Sequence, residues 1–356
     1  RVGLSGGGVR IGVVTYAGAD GAVLAMPGPY APFRVLQAAG GDWSATDLAF
    51  QPDGKVLLVG GYTPTGAPTA RHFVARLTAD GALDDDASTG FGTGGYTIST
   101  LPFSVSEAQA VAIQGDDVIV AGNMNGDVFV ARYTADGSLD TGFGVSGYRV
   151  VGQAGETDLA SDVAVLGDGR IVVAGSAHRS GGWEALLVGL TPDGDLDATF
   201  RDGGVAAVDV TAQDDGISAL AVGGDGTLVV SGTRGPVGAA SSDVLVARFT
   251  PDGSLDSVFD SDGWLSFDGL GDADTGQDVA VLPNGQVLVA VRSSATVANG
   301  GAPGQDFLLY EFNPDGALDA GFATGGRARV DMAGGFDNLW ALDVQSDGRA
   351  VLGGGS

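Results

Sequence analysis

The chain has 356 residues, no cysteine and 63 glycines, and 44% of it is hydrophobic. It carries 40 aspartates and four glutamates against 16 arginines and one lysine, Lys55, for a formal net charge of −27. Disulfides and thiolate metal sites are excluded. An acidic surface repels phosphate backbones and anionic lipid, so nucleic acid and membrane surfaces are poor partners. No apolar run reaches the ~20 residues that span a bilayer. No signal-peptide pattern follows Arg1, so a leader is already gone or the chain is part of something longer. Aspartate serves turns where glutamate serves helices, so the composition predicts many turns and few helices.

Along the chain, Asp-Gly pairs of one motif fall at Asp20, Asp80, Asp136, Asp193, Asp252 and Asp315, at steps of 60, 56, 57, 59 and 63 residues. Between them sits a second motif: QPDGKVLLVGG (51–61), QGDDVIVAGN (114–123), LGDGRIVVAGS (166–176), GGDGTLVVSG (223–232), LPNGQVLVAV (282–291) and QSDGRAVLGGG (345–355). The unit is therefore about 59 residues. Each unit resolves into four short strands, A to D. In one of them SALAV (218–222) is A, TLVVSG (227–232) is B, DVLVARFT (243–250) is C and WLSF (264–267) is D. Short β-branched runs bounded by Gly, Asp, Asn and Pro are strand signals, and the Asp-Gly turns predict type I′ hairpins. No 3.6-residue apolar period supports a helix.

One four-stranded sheet cannot bury both faces, whereas several stacked around an axis can. The reading is all-β: a β-propeller of four-stranded antiparallel blades, six in number and closed by strands from both termini, with seven blades, one incomplete, as the alternative. It forms a single domain, residues 1–356. The units are 45–107, 108–159, 160–216, 217–275 and 276–337, with a closing blade from 1–44 plus 338–356.

The motifs AVAIQGDDVIVAGN (110–123), FVARYTADGSLDTGFGVSG (129–147), DVAVLGDGRIVVAGS (162–176) and VLVARFTPDGSLDSVF (244–259) resemble the delta-60 repeat family of bacterial propeller proteins. The likeness runs from about residue 45 to 356. Residues 1–44 depart from it, since Asp20-Gly21 is not followed by Leu-Asp-x-x-Phe. The resemblance implies a secreted or surface-exposed bacterial protein and no particular activity.

Three groups of residues carry functional expectations. The paired aspartates of each unit, such as Asp136 and Asp140, Asp193 and Asp197, or Asp252 and Asp256, are read mainly as turn caps, with Leu139, Leu196, Leu255, Phe143, Phe200 and Phe259 packing below. Arg76, Arg132 and Arg248 recur in register on strand C and are expected to pair with them. The densest acidic stretch, Asp256, Asp260 and Asp262, resembles the start of a calcium loop, since calcium takes 6–8 oxygens. The second group enters strand A: Asp158, Asp215, Asp274 and Asp337 on the preceding loop, and Asp47, Asp162 and Asp278 at the first strand position, where units two, four and six have Ala110, Ala219 and Ala341. Acids in alternate blades would ring the channel and favour a cation, Ca2+ above all, or cationic ligands. The third group is the irregular B–C loops, where His178, Arg179, Trp183 and Arg234 are candidate ligand-binding residues.

Catalytic patterns are nearly absent: the two histidines, His72 and His178, are placed on loops of different units, and no nucleophile elbow, phosphate loop or zinc motif occurs. The expected function is a non-catalytic binding or adhesion module, extracellular or on the bacterial cell surface, with a protein or glycan partner. Two alternatives stand beside it: a secreted carbohydrate hydrolase or lyase using channel-mouth carboxylates, and a structural spacer of a larger surface protein.

Overall fold

The computed structural model describes residues 9–10, 35–36, 41–103, 105–153, 155–211, 213–235, 242–269, 273–293, 297–299, 302–304, 307–330, 338–345 and 348–355. Five four-stranded antiparallel sheets follow one another. The first runs Gly41–Phe50, Val56–Pro64, Arg71–Leu77 and Tyr96–Ile98. The second runs Glu107–Gln114, Asp117–Met124, Asp127–Tyr133 and Tyr148–Val151. The third is Thr157–Val165, Ile171–Arg179, Gly182–Leu190 and Val205–Val208. The fourth is Asp215–Val222, Leu228–Arg234, Asp243–Phe249 and Trp264–Phe267. The fifth is Asp274–Val281, Val287–Ser293, Phe307–Phe312 and Arg327–Val330. A two-stranded sheet, Asn338–Val344 with Ala350–Gly355, continues the A–B rhythm. Two short ribbons, Val9–Arg10 with Val35–Leu36 and Val297–Asn299 with Ala302–Gly304, complete the strands.

Strands B and C read as unbroken apolar runs because both faces of each sheet are buried. Leu57 and Val59 join Ala108, Val111, Val118 and Val120 in a core between the first and second sheets, while Val56 and Leu58 lie in another with Tyr62 and Phe73. The same alternation fills the spaces between later sheets. Leu288 and Ala290 carry it on to Leu339 and Leu342 of the final pair. Stacked faces of this kind are how propeller-type blades hold together.

Two expectations are corrected. At Gln51–Lys55 only Gly54 has positive φ, Gly54 N–H bonds Gln51 O at 2.9 Å, and Gln51 N–H bonds Lys55 O at 2.8 Å. This is a type I turn followed by a left-handed glycine, stabilised by Asp53 Oδ1 accepting from Lys55 N–H at 3.1 Å. The type I′ form occurs instead between B and C of the second sheet, where Asn125 and Gly126 both have positive φ. The inner strands also begin earlier than expected, at Gly41, Glu107, Thr157, Asp215 and Asp274. Asp158, Asp215 and Asp274 are therefore strand residues and not loop residues.

The reason is a β-bulge in every inner strand. Pairing skips one residue between Ala45 and Asp47, Ala108 and Ala110, Ala160 and Asp162, Ile217 and Ala219, Gly276 and Asp278, and Leu339 and Ala341. A bulge breaks the period of two, so the strand reads as a shorter one with a loop before it. It also explains a repeated glycine of strand B. A Cβ on Gly175 would overlap the carbonyl oxygen of Leu159, and Gly60, Gly122 and Gly232 meet the same obstacle at Ser44, Glu107 and Gly216.

Candidate functional site

At the edge that carries the A–B turns and C–D connections, one joint recurs. Arg76, Arg132 and Arg248 of strand C pair through Nε with Asp84, Asp140 and Asp256 at 2.6, 2.7 and 2.8 Å. The three guanidinium groups lie 5.0, 4.9 and 5.1 Å from the ring centroids of Phe91, Phe143 and Phe259. Each then reaches into the next repeat, bonding the carbonyl of Ala135, Pro192 or Pro314. The residue after each phenylalanine does likewise: Gly92, Gly144, Arg201 and Asp260 donate N–H to the carbonyls of Asp136, Asp193, Asp252 and Asp315. Gly194, at φ 84, lies directly under Phe143, where any Cβ would strike the ring.

The paired aspartates are turn caps. Asp136 Oδ1 accepts from Ser138 N–H at 3.0 Å, and Asp140 Oδ1 from Gly142 N–H at 2.9 Å. Asp197 and Asp256 cap Thr199 and Val258 at 2.9 and 3.0 Å. Phe91, Phe143, Phe200 and Phe259 are buried, whereas Leu196 and Leu318 are exposed. The third and fifth sheets lack the strand-C arginine and substitute for it. Gly189 leaves room for Phe200, and Arg170 reaches Asp197 at 3.4 Å from the neighbouring turn. Glu311 stands in the fifth, where Gln286 Nε2 donates to Asp319 at 2.6 Å.

Around the axis the alternation of acid and alanine has a different meaning. Asp47 Oδ1 accepts from its neighbour Leu48 N–H at 2.7 Å, and its Oδ2 from Val111 N–H of the next sheet at 2.9 Å. Asp162 does the same with Val163 (2.7 Å) and Leu220 (2.7 Å), and Asp278 with Val279 (2.8 Å) and Leu342 (2.6 Å). The bulge residue just before adds a second link: Thr46 Oγ1 donates to Ala108 O at 2.8 Å and Ser161 Oγ to Ile217 O at 2.7 Å. Odd-numbered sheets are thus stapled to even ones. The second sheet reaches the third by another route, Asn123 Oδ1 accepting from Ala160 N–H at 2.7 Å.

The three staple acids feel one another's charge. Burial pushes Asp47 and Asp278 up to about 6, and Asp162 up to about 8. The Asp47 and Asp278 charges add to the rise at Asp162, and Asp47 adds to that at Asp278. Each is only partly exposed. Desolvation outweighs the backbone donors that favour the charged form. Asp47, Asp162 and Asp278, expected from sequence as channel acids, each spend both oxygens on backbone.

The remaining acidic candidates do not join them. Asp158 is buried and ion-paired with Arg179, Nη1 lying 2.6 Å from Oδ1. Asp215 is a buried cap for Val210 and Thr211 N–H at 2.9 and 3.1 Å, and burial raises it. Asp274 Oδ2 accepts from Gly269 N–H at 2.7 Å. Asp256 is held by Arg248, Asp262 Oδ1 accepts from Trp264 N–H at 3.4 Å, and Asp260 takes positive φ. Asp337 lies outside the described residues. Among the described residues no three acidic or imidazole groups gather closely enough to hold a metal ion.

On the B–C edge the structure joins two of the four candidate ligand-binding residues. The rings of His178 and Trp183 meet edge to face at 5.1 Å across the hairpin tip Arg179–Gly182. Arg179 points elsewhere, to Glu156 at 3.0 Å and Asp158. Arg234 pairs with Asp243 at 3.5 Å within its own hairpin. Both histidines are strand residues, correcting their placement on loops. His72 is wholly buried, bonded to Ser106 Oγ at 3.0 Å and Tyr133 Oη at 2.7 Å, and burial lowers it to about 3, so it is neutral.

Repeated four-stranded sheets joined by these links define a β-propeller repeat protein. A family model described as "Domain of unknown function (DUF5122) beta-propeller" matches residues 51–86, 114–143, 166–200, 223–259 and 282–322, half of the chain. The chain belongs to this family, the delta-60 repeat type of bacterial β-propeller. No protein of curated function matches the sequence. Among solved structures it is similar to a gluconolactonase from Xanthomonas campestris, at 15% identity over 85% of this chain and 80% of that one, TM-score 0.43. It is also similar to the Dos1 propeller, at 13% identity over 87% and 64%, TM-score 0.48. A polysaccharide lyase of the PL25 ulvan lyase family matches at 9% identity over 76% and 67%, TM-score 0.42. No helix among the described residues is long and apolar enough to cross a membrane.

Proposed function

We propose that the chain is a non-catalytic binding or adhesion module, displayed outside the bacterial cell, that presents its irregular B–C edge on a stiff propeller. The observation that carries this reading is where the polar side chains are spent. The axial acids and the repeated aspartates serve backbone links, while His178 and Trp183 form a ring pair at a hairpin tip with no such duty. Variable tips on a rigid scaffold are where recognition concentrates. The long B–C loops of the fourth and fifth sheets include residues outside the described set, at 236–241, 294–296, 300–301 and 305–306.

We further propose six blades, the last built from Asn338–Val344 and Ala350–Gly355 together with the N-terminal segment. Support comes from the staple between Asp278 and Leu342, which extends the odd-to-even pattern into a sixth unit.

The test is an array of bacterial-surface and host proteins and glycans probed with the full chain and with a His178→Ala/Trp183→Ala variant. The expected result is one retained class, lost in the variant with melting temperature unchanged. Retention that survives in the variant moves recognition away from this tip. A second reading, carbohydrate hydrolysis or lysis, is favoured by the raised Asp47, Asp162 and Asp278. Polysaccharide cleavage that disappears in Asp162→Asn would replace the first reading with this one.

A further inference from the structure

One inner-strand position is acidic in three successive sheets and is used differently in one of them. Asp158, Asp215 and Asp274 stand two residues ahead of Ala160, Ile217 and Gly276, where the bulges begin. Asp215 accepts from Val210 and Thr211 N–H, and Asp274 from Gly269 N–H, so both cap the loop that leaves the preceding sheet. Asp158 is as deeply buried, at 1% exposure, and its Oδ1 accepts no hydrogen bond. Arg179 comes to it instead, with Nη1 2.6 Å from Asp158 Oδ1 and Nε 3.0 Å from Glu156 Oε2. Glu156 Oε2 accepts no hydrogen bond either. One guanidinium thus serves two carboxylates and is aligned with neither.

Asp158 and Arg179 close one end of a groove of about 480 Å³ between the second and third sheets, whose walls include Val151, Leu196, Val205 and Ala207. That volume lies within the ~300–1,000 Å³ of ligand clefts. The register puts these side chains on facing surfaces. Asp158, Ala177 and Glu184 align across the third sheet. Ala177 and Val151 belong to the core between the two sheets, and Val205 and Ala207 pack against it. Arg179 and Glu184 share the face of Ala177, whereas His178 and Trp183, one residue out of step, lie on the other face. Tyr148–Val151 and Val205–Val208 are the outermost strands of their sheets, so one side of each backbone has no strand beside it.

The chemistry of the groove selects a partner. At its far end Asp202 pairs with Arg201 at 3.3 Å, and Arg149 pairs with Asp195. At the near end Arg179 alone stands against Glu156, Asp158 and Glu184, within a chain of net charge −27. A cationic group would supply the donor that the buried Asp158 oxygen lacks, and a buried acceptor left unsatisfied costs free energy. An anionic group would meet the excess of carboxylate. Val205 and Ala207 are two residues apart on one face, the side-chain spacing of an extended strand, and an open strand edge offers main-chain donors and acceptors to such a segment. We propose that this groove docks an extended segment of a partner protein in which apolar and basic residues alternate, at a site separate from the His178–Trp183 tip.

The experiment titrates the full chain calorimetrically with a capped hexapeptide of alternating valine and lysine, with its valine–glutamate counterpart, and with spermidine. The basic peptide is expected to bind with Kd of about 1 mM or tighter, more weakly as salt is raised, and the acidic peptide not at all. Spermidine, which carries charge without apolar side chains or a peptide backbone, should bind at least about tenfold more weakly than the basic peptide. Leu196 is exposed, so Leu196→Arg should leave melting unchanged, repel a basic segment and weaken binding about tenfold or more. Ala207→Trp should block the groove to the same extent, and Glu184→Gln should weaken binding and reduce its salt dependence. Trp183→Ala, on the opposite face, should leave binding intact. No binding of the basic peptide, equal binding of the acidic one, spermidine as tight as the peptide, or wild-type affinity in Leu196→Arg would overturn the proposal. A loss confined to Trp183→Ala would overturn it too, by placing the peptide at the tip.

Discussion

The two edges of the propeller use similar residues to opposite ends. On the edge with the Asp-Gly turns, aspartate, phenylalanine and glycine repeat from sheet to sheet, with arginine in three of the five, and the arginines and the residues after the phenylalanines link their sheets to the next. On the B–C edge the residues change from sheet to sheet and few reach across. Repetition in this chain therefore marks a joint. The functional candidate is a departure from it, the unshared His178–Trp183 tip.

The largest effect expected from breaking the repetitive edge is at Arg76. Arg76 and Asp84 are each about 6% exposed as side chains. Arg76→Ala leaves buried Asp84 with Lys55 Nζ, at 3.2 Å, as its remaining cation and should cost about 3 kcal/mol, the lower end for breaking a buried pair, by chemical denaturation. Arg132→Ala should cost less, because Arg132 and Asp140 are more exposed, at 14% and 22%. Equal losses would remove burial as the reason.

At the axis, Asp162→Ala leaves Val163 N–H and Leu220 N–H without an acceptor, each worth ~1–3 kcal/mol, so about 2–4 kcal/mol should be lost. The acid also gives the comparison a pH signature. Asp47, Asp162 and Asp278 hold protons in the folded chain that the unfolded chain has already released. Their contribution to stability is full below the ordinary carboxylate range and falls as pH rises through about 6 and then about 8. The rim aspartates Asp140, Asp197 and Asp252 are lowered, first by hydrogen bonds from Gly142 N–H, the Thr199 hydroxyl and the Thr250 hydroxyl respectively. Their contribution runs the other way, present above the ordinary range and lost as pH falls below it. Denaturation across pH 4 to 8 should show declining stability, and Asp162→Asn should flatten the upper part; an unchanged slope would assign the decline to net charge alone.

Smaller still, Gly175→Ala should cost ~1–3 kcal/mol through overpacking against Leu159 O. Gly167→Ala, which meets nothing within 4 Å, should stay within ~0.5 kcal/mol. At the foot of the scale, calcium or a chelator should leave the melting temperature unmoved, since a ligand that binds the native state must stabilise it and most of the expected calcium ligands already serve the protein.

Much of the architecture was legible because it is local. Strand runs, turn residues and their 59-residue rhythm come from neighbours in sequence, as do the register of Arg76, Arg132 and Arg248 and the capping role of Asp136 and Asp140. The acid–alanine alternation at Asp47, Ala110, Asp162, Ala219 and Asp278 was also visible, but its purpose was not. A bulge interrupts the period of two without leaving a characteristic residue on its own strand; its trace is the glycine opposite, at Gly60, Gly122, Gly175 and Gly232.

By itself, then, the sequence determined the elements and their repetition, because hydrogen-bonding and apolar patterns within ten residues decide a strand and a turn. Tertiary structure alone decided which backbone groups of the next repeats the axial acids and the strand-C arginines reach. Those outcomes rest on pairs such as Asp162 with Leu220 or Arg132 with Pro192, roughly one repeat apart, where the partner is a backbone group that every residue carries and no side-chain pattern can announce.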